Sequence, residues 1–341
     1  MKVYAGMDPR LPLPDVAGYA RRVEAMGFDG LHIAETVHDA LAVAVLVAEH
    51  TERITIRTSV ALAFARSPTL TAYAAWDLAK VSAGRFQLGL GTQIRQNIED
   101  RMGMPWSDPV ARMREYLEAL TALYDAFRTG GRVHYEGAIY RITRLQPYFN
   151  PGPDPSTDPP PTWLGGVNAG ICRLAGARAA GFVTHPTNSD PRYLREICLP
   201  NLRAGAEQAG RAPGDIEVVV GTPLIAGATD AEVAVERERQ RRMLAFLYST
   251  PAYRRTLELY GWENLTAALQ DLIRGERWQD LADLVSDEVL DTLVPSGRFD
   301  QLAAALTARF AGLADGLLLG PQPEPSHDRA VTALVAALQA G

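Results

Sequence analysis

The chain has 341 residues, 47% of them hydrophobic and 22% charged, with a formal net charge of −6. That is an ordinary globular composition, long enough for two domains or for one α/β barrel, and its acidic balance argues against a nucleic-acid partner, which needs a basic surface. No stretch reaches the ~20 uninterrupted apolar residues of a membrane helix, and Met1–Gly6 runs straight into Asp8 and Pro9 without a signal-peptide core, so a cytoplasmic protein is expected.

Short apolar runs alternate with amphipathic ones. Strands are expected at Val3–Met7, Leu31–Ala34, Ile54–Val60, Phe86–Leu90, Thr162–Leu164, Phe182–Thr184, Ile216–Val220 and Gly316–Leu319. Between them, helices are expected at Asp15–Met26, Leu41–His50, Pro68–Val81, Pro109–Phe127, Ile171–Ala179, Tyr193–Ala209, Asp230–Leu247 and Arg329–Leu338. Ser67 before Pro68 is a cap-and-start signal. Two stretches interrupt the rhythm. Gly130–Pro161 holds a hairpin, Val133–Tyr135 with Tyr140–Arg144 turning through Gly137, then a proline-rich loop. Ala252–Val294 holds a helix from Thr250-Pro251 to Tyr260 and two or three more over Leu265–Val294. Both are too long for ordinary βα connections. Eight interleaved strands fit a single (β/α)8 barrel spanning 1–341; no GxGxxG follows the first strand, which weakens the doubly wound alternative. Cys172 and Cys198 lack metal-ligand spacing and read as buried cytosolic thiols, with no metal site.

Several residues fall where such barrels place chemistry. Gly165-Gly166-Val167-Asn168 joins a strand to a helix, either as a backbone cradle for a phosphate or as a plain loop. Arg66 and Arg173 could add charge there or be solvated helix-end arginines. His38-Asp39 follows the second strand, where an imidazole beside a carboxylate suits proton transfer. Glu35 could orient a ligand or pair with Arg57. His185 ends the sixth strand. Trp106, Tyr140, Tyr148 and Phe149 could form an aromatic substrate wall or pack beneath the loops.

The stretch Thr58-Ser59-Val60, Ala65-Arg66-Ser67-Pro68, Ala74-Ala75-Trp76-Asp77-Leu78 and Ser82-Ala83-Gly84-Arg85-Phe86-Gln87-Leu88-Gly89-Leu90-Gly91-Thr92 closely resembles the luciferase-like monooxygenase family. Gly27-Phe28-Asp29-Gly30 with Glu35, and Trp163-Leu164-Gly165-Gly166, resemble it too. Glu35-Thr36-Val37-His38-Asp39, Pro105-Trp106-Ser107, His185-Pro186 and Tyr248–Tyr253 resemble an actinobacterial subgroup of oxidoreductases using the deazaflavin coenzyme F420.

The resemblance implies a barrel-mouth cofactor touched by Ser59, Val60, Gly91, Thr92, the Gly165–Asn168 turn and His185. It also implies a non-prolyl cis peptide at Ser59-Val60. His38 and Glu35 are the implied catalytic pair, and Asn97, Trp106, Tyr148 and Phe149 the implied substrate pocket. Asn97 stands where the subgroup tends to carry His. Thr36 after Glu35, and Gln93-Ile94 beyond the Gly91-Thr92 turn, depart from sugar-phosphate dehydrogenases of the superfamily and argue against that substrate. The implied activity is hydride transfer between F420 and a small organic molecule, by a homodimer joined through early barrel helices, with a separate cofactor reductase as a further partner. The alternatives are an FMN monooxygenase using reduced flavin and oxygen, and a non-catalytic barrel serving as a binding or assembly subunit.

Overall fold

The computed structural model describes residues 1–341. Eight parallel strands close on themselves: β1 (Lys2–Gly6), β2 (Gly30–Ile33), β3 (Thr55–Thr58), β4 (Phe86–Gly91), β5 (Thr162–Gly166), β6 (Gly181–Thr184), β7 (Glu217–Gly221) and β8 (Gly316–Pro321). Closure comes from β8 against β1, with Val3 opposite Leu317, and from Arg57 of β3 opposite Gln87 of β4. After a break at Ser59-Val60 the chain resumes at Ala61–Leu62, pairing with Leu90 and Gly91. The expected (β/α)8 barrel is the fold.

Helices α1 (Leu13–Ala25), α2 (Ala40–Glu49), α3 (Pro68–Val81), α4 (Pro109–Thr129), α5 (Ala169–Arg178), α6 (Leu199–Gln208) and α7 (Asp230–Tyr248) return the chain between strands. Further helices α8 (Asn264–Arg274), α9 (Asp287–Leu293), α10 (Phe299–Phe310) and α11 (Asp328–Ala340) follow. Side chains start several of them: Asp39 caps α2, Ser67 caps α3 ahead of Pro68, Asp108 caps α4 ahead of Pro109, and Asn168 caps α5. Gly130, with φ of 69°, ends α4 in the left-handed conformation.

The two-residue strand period divides the core. Outward residues such as Val3, Ile33, Ile56, Leu90, Phe182 and Leu317 join the helices in one cluster of 65 buried residues. Inward residues Tyr4, Trp163, Val183 and Val219 form a column on the barrel axis, with Val60 and Leu318 against it. A third cluster of 12, including Leu244, Tyr248, Leu257, Leu269 and Leu290, lies under the second insertion.

Four features differ from expectation. The hairpin is shorter, Tyr135–Glu136 with Arg141–Ile142. The helix expected from Tyr193 opens with a wide turn at Leu194–Cys198 before α6, because Pro200 has no N–H to give the preceding turn. Helix α10 and the parallel pairing of Ile225–Gly227 with Ser296–Arg298 are additional. In α10 only Leu302, Leu306 and Phe310 are buried, a stripe too thin to stand out in an alanine-rich segment. No helix is long and apolar enough to cross a membrane.

Candidate active site at the barrel mouth

The C-terminal ends of β2 and β3 meet at the break in β3. The Ser59-Val60 peptide is cis, as the resemblance implied. Ser59 N–H donates to Ile33 O at 2.6 Å, which keeps the backbone tied to β2. Glu35, just past β2, takes the other side: its carboxylate accepts from Leu62 N–H at 2.5 Å and from both terminal nitrogens of Arg66 at 2.7 and 2.8 Å. Arg66 also reaches Asp39 at 2.8 Å. The Glu35 side chain is only 9% exposed and that of Arg66 16%, so this bidentate pair is poorly screened. Glu35 therefore clamps the Ser59–Leu62 segment. The expected pairing of Glu35 with Arg57 is corrected: Arg57 points into the barrel, and Arg66 is neither a solvated helix-end residue nor free for a phosphate.

Val60 leans across the barrel axis over two glycines. A Cβ on Gly91 would lie 2.4 Å from Val60 Cγ2, and one on Gly165 would lie 2.7 Å from Val60 Cγ1 and 3.3 Å from Val183 Cγ1. These glycines make room for the valine, so Gly165 faces the axis rather than a ligand's phosphate. Gly166 faces Ile171, whose Cγ2 would meet its Cβ at 2.6 Å. The next turn begins α5. Asn168 Oδ1 accepts from Ile171 N–H at 2.9 Å, Val167 O accepts from Tyr193 at 3.0 Å, and the N–H groups of Ala169 and Gly170 have no intrahelical acceptor. Arg173 donates to Asn201 on α6 instead of turning to this end. An apolar floor, glycine rims and one helix N-terminus suit a planar ring with an anionic tail.

His185, after β6, caps the next turn. Its Nδ1 lies 2.8 Å from Thr187 Oγ1, and its ring stacks on Tyr253 with centroids 4.4 Å apart. Burial pushes its pKa down to about 4, so it is neutral near pH 7. Beside Tyr253 opens a cleft of about 570 Å³ between Ile94, Arg95 and Gln96 after β4 and Ser249–Ala252, Gln270, Ile273 and Arg274 of the second insertion. Sequence reasoning missed this cleft. Thr250-Pro251 was legible only as a helix start, and nothing in the spacing tells that residues about 155 apart face each other.

The other expected residues divide. Thr92, half-buried, follows Gly91, and its hydroxyl donates to Gln93 O at 3.1 Å. Asn97 opens a wide turn, Asn97–Arg101. Trp106 packs edge-on to Phe64, two residues beyond Leu62, with centroids 5.9 Å apart, and Tyr140 accepts from Arg112 at 2.9 Å. Tyr148 and Phe149 are corrected. They lie outside the barrel against α3, where Tyr73 donates to Phe149 O at 2.7 Å, and Tyr148 is 91% exposed. The chain must run back down the outer surface to start β5, and that path carries them away from the mouth. His38 is half-buried at the rim. Asp39 is committed to the α2 cap and to Arg66, and Glu35 to Arg66 and Leu62, so neither carboxylate serves the imidazole.

The luciferase-like monooxygenase family model matches residues 3–316. An uncharacterized protein of Mycobacterium tuberculosis is 38% identical over 314 residues, 92% of each chain. The F420-dependent glucose-6-phosphate dehydrogenase of Nakamurella multipartita is 29% identical over 240 residues, 67% of this chain and 66% of that one. Among solved structures, the coenzyme F420-dependent tetrahydromethanopterin reductase of Methanopyrus kandleri superposes with a TM-score of 0.82 at 19% identity, covering 99% of this chain and 98% of that one. The chain belongs to the luciferase-like monooxygenase family, whose relatives include F420-dependent oxidoreductases.

Proposed function

We propose that the chain is an oxidoreductase that holds coenzyme F420 at the barrel mouth and passes a hydride between it and a small organic substrate. The observation that carries this reading is the floor made by Val60 over Gly91 and Gly165, an apolar patch on the barrel axis at the mouth. Ser59 and Val60 would support the ring, with Gly91, Thr92 and His185 beside it. Gly166, Val167, Asn168 and the free N–H groups of α5 would receive the phosphate. When bound, the deazaflavin supplies the hydride chemistry. The protein's part is to orient the ring, keep water from it and manage a proton. Glu35 positions the floor through Leu62 and Arg66. His185, neutral near pH 7, is suited to hydrogen bonding rather than to acid catalysis. His38 is the rim group suited to carrying the proton. The substrate would enter by the Arg95–Arg274 cleft, and a separate reductase would keep the cofactor reduced. F420 is preferred to FMN because relatives in sequence, the glucose-6-phosphate dehydrogenase of Nakamurella multipartita among them, are named for it.

Fluorescence-quenching titration of the whole chain with F420 and with FMN tests the reading. F420 should bind at least about tenfold more tightly, ~1.4 kcal/mol. His38→Ala should hold it within about threefold of the parent protein, roughly 0.7 kcal/mol. Equal or tighter FMN binding would reverse the cofactor assignment in favour of a flavin monooxygenase. Binding of neither would leave a non-catalytic barrel.

A further inference from the structure

One charged group in the barrel interior is used by none of this. Arg57 is fully buried, and its guanidinium lies 3.3 Å from the centroid of Trp163 and 4.8 Å from that of Tyr4. Its Nε donates to Gln87 Oε1 at 2.7 Å, and a second nitrogen reaches the same oxygen. Its Nη1 lies 2.9 Å from His32 Nε2. A guanidinium can only donate, so His32 accepts there and carries its own proton on Nδ1, which is buried and unpartnered. Burial and the neighbouring Arg57 keep His32 well below the usual histidine pKa, hence neutral.

Every group touching Arg57 is thus uncharged. The nearest carboxylate, Glu217, is one side chain further off: Tyr4 donates to it at 3.1 Å, and it is shared with Lys2 at the far end of the barrel. Tyr4 cannot ionise to compensate, because burial raises its pKa to about 12. A buried cation without a counter-ion is costly, and a well-packed apolar residue often serves stability as well. Packing alone gives no reason for an arginine here.

Its position gives one. Arg57 and Ser59 point to the same side of β3, two residues apart, so the charge lies roughly 7–10 Å below the floor of the mouth. The column above the charge, from Trp163 through Val183 to Val60, is apolar and buried in its lower part. We propose that Arg57 is an electrostatic support beneath the mouth, favouring negative charge on the ring bound above without touching it. The inference rests on the cofactor reading for the identity of that ring. A unit charge about 10 Å away, at an effective dielectric of ~20, moves a protonation equilibrium by roughly one pH unit.

The test uses ring ionisations visible in the absorbance spectrum: the phenol of oxidised F420 and, separately, the N3–H of oxidised FMN. Each is titrated against pH on the whole protein. Arg57→Met should raise the apparent pKa of the bound ring by about one unit, and Arg57→Lys, which keeps the charge, should restore most of the parent value. Glu217→Gln removes the opposing charge and should move the pKa the other way, by roughly a few tenths of a unit because Glu217 is farther and partly solvated. A merely structural arginine would not give opposite shifts at the two sites. If Arg57→Met fails to fold, Arg57→Gln, which keeps an N–H donor beside Gln87 and removes the charge, takes its place and should raise the pKa in the same way. A bound ring whose pKa is unmoved, or moves the same way in both variants, overturns the inference and leaves the cofactor reading intact. Failure of both rings to bind the parent protein overturns both.

Discussion

His185 ties the mouth to pH. An unfolded chain presents a histidine of pKa about 6.5, whereas burial holds the folded one at about 4. Between those values the unfolded state takes up a proton that the folded state refuses. The contribution is therefore fully retained above about pH 6.5 and lost progressively as pH falls through about 4. The loss is on the order of 1–3 kcal/mol, the lower part of that range if solvent reaches the ring edge. Urea midpoints from pH 7 to pH 4.5 should fall more steeply for the parent protein than for His185→Gln. Parallel curves would mean that His185 does not resist protonation. The residue scale is also where the sequence was least legible. Glu35 stood out as a family position, but its partner Arg66 is a fact of tertiary structure 31 residues away. Strand parity would have excluded Arg57: Ile56 packs outward among the helices, so Arg57 faces the axis, where Trp163 lies against it.

At the level of elements, the eight strands were readable because each is a short apolar run bounded by turn residues, and most helices because a cap precedes them. The second insertion was less so, because its helices bury few residues each and rely on one another. What ties it to the barrel is a buried carboxylate. Asp190, 4% exposed, accepts from Arg309 of α10 at 3.1 Å and from Tyr260 at 2.8 Å, while Arg309 also donates to Thr292 O at 2.8 Å. Asp190→Asn keeps the shape and removes the charge that Arg309 faces. It should cost about 2–4 kcal/mol, since one member of a largely buried pair is left unmatched. Hydrogen exchange should quicken in residues 255–294 before it quickens in the barrel strands. A variant within about 0.5 kcal/mol of the parent, with unchanged exchange in the insertion, would show that the smaller apolar cluster alone holds the element in place.

At its outer surface the molecule carries a face suited to association. Of the small residues Ala72, Ala74, Ala75 and Ala79 that make α3 narrow, Ala72, Ala75 and Ala79 are buried against this chain's own barrel and only Ala74 is partly exposed. The outer surface of α3 offers something else. Leu70 is 65% exposed one helical turn before Tyr73, and Tyr73 carries the Tyr148-Phe149 segment, whose two rings meet edge-on 5.2 Å apart. Exposed large apolar side chains on one outer face, Leu70 on α3 and the Tyr148-Phe149 pair tied to it through Tyr73, are the kind of surface that association covers. We propose a homodimer through this patch, with the corrected aromatic pair as its centre rather than as a substrate wall. Light scattering at micromolar concentration should give twice the chain mass of 37.1 kDa. Leu70→Lys combined with Tyr148→Lys should give the monomer mass with an unchanged circular dichroism spectrum, because two cations facing their symmetry copies across an apolar contact are desolvated without partners. A parent protein of monomer mass at that concentration would refute association. A double variant that stays dimeric would move the interface off this patch.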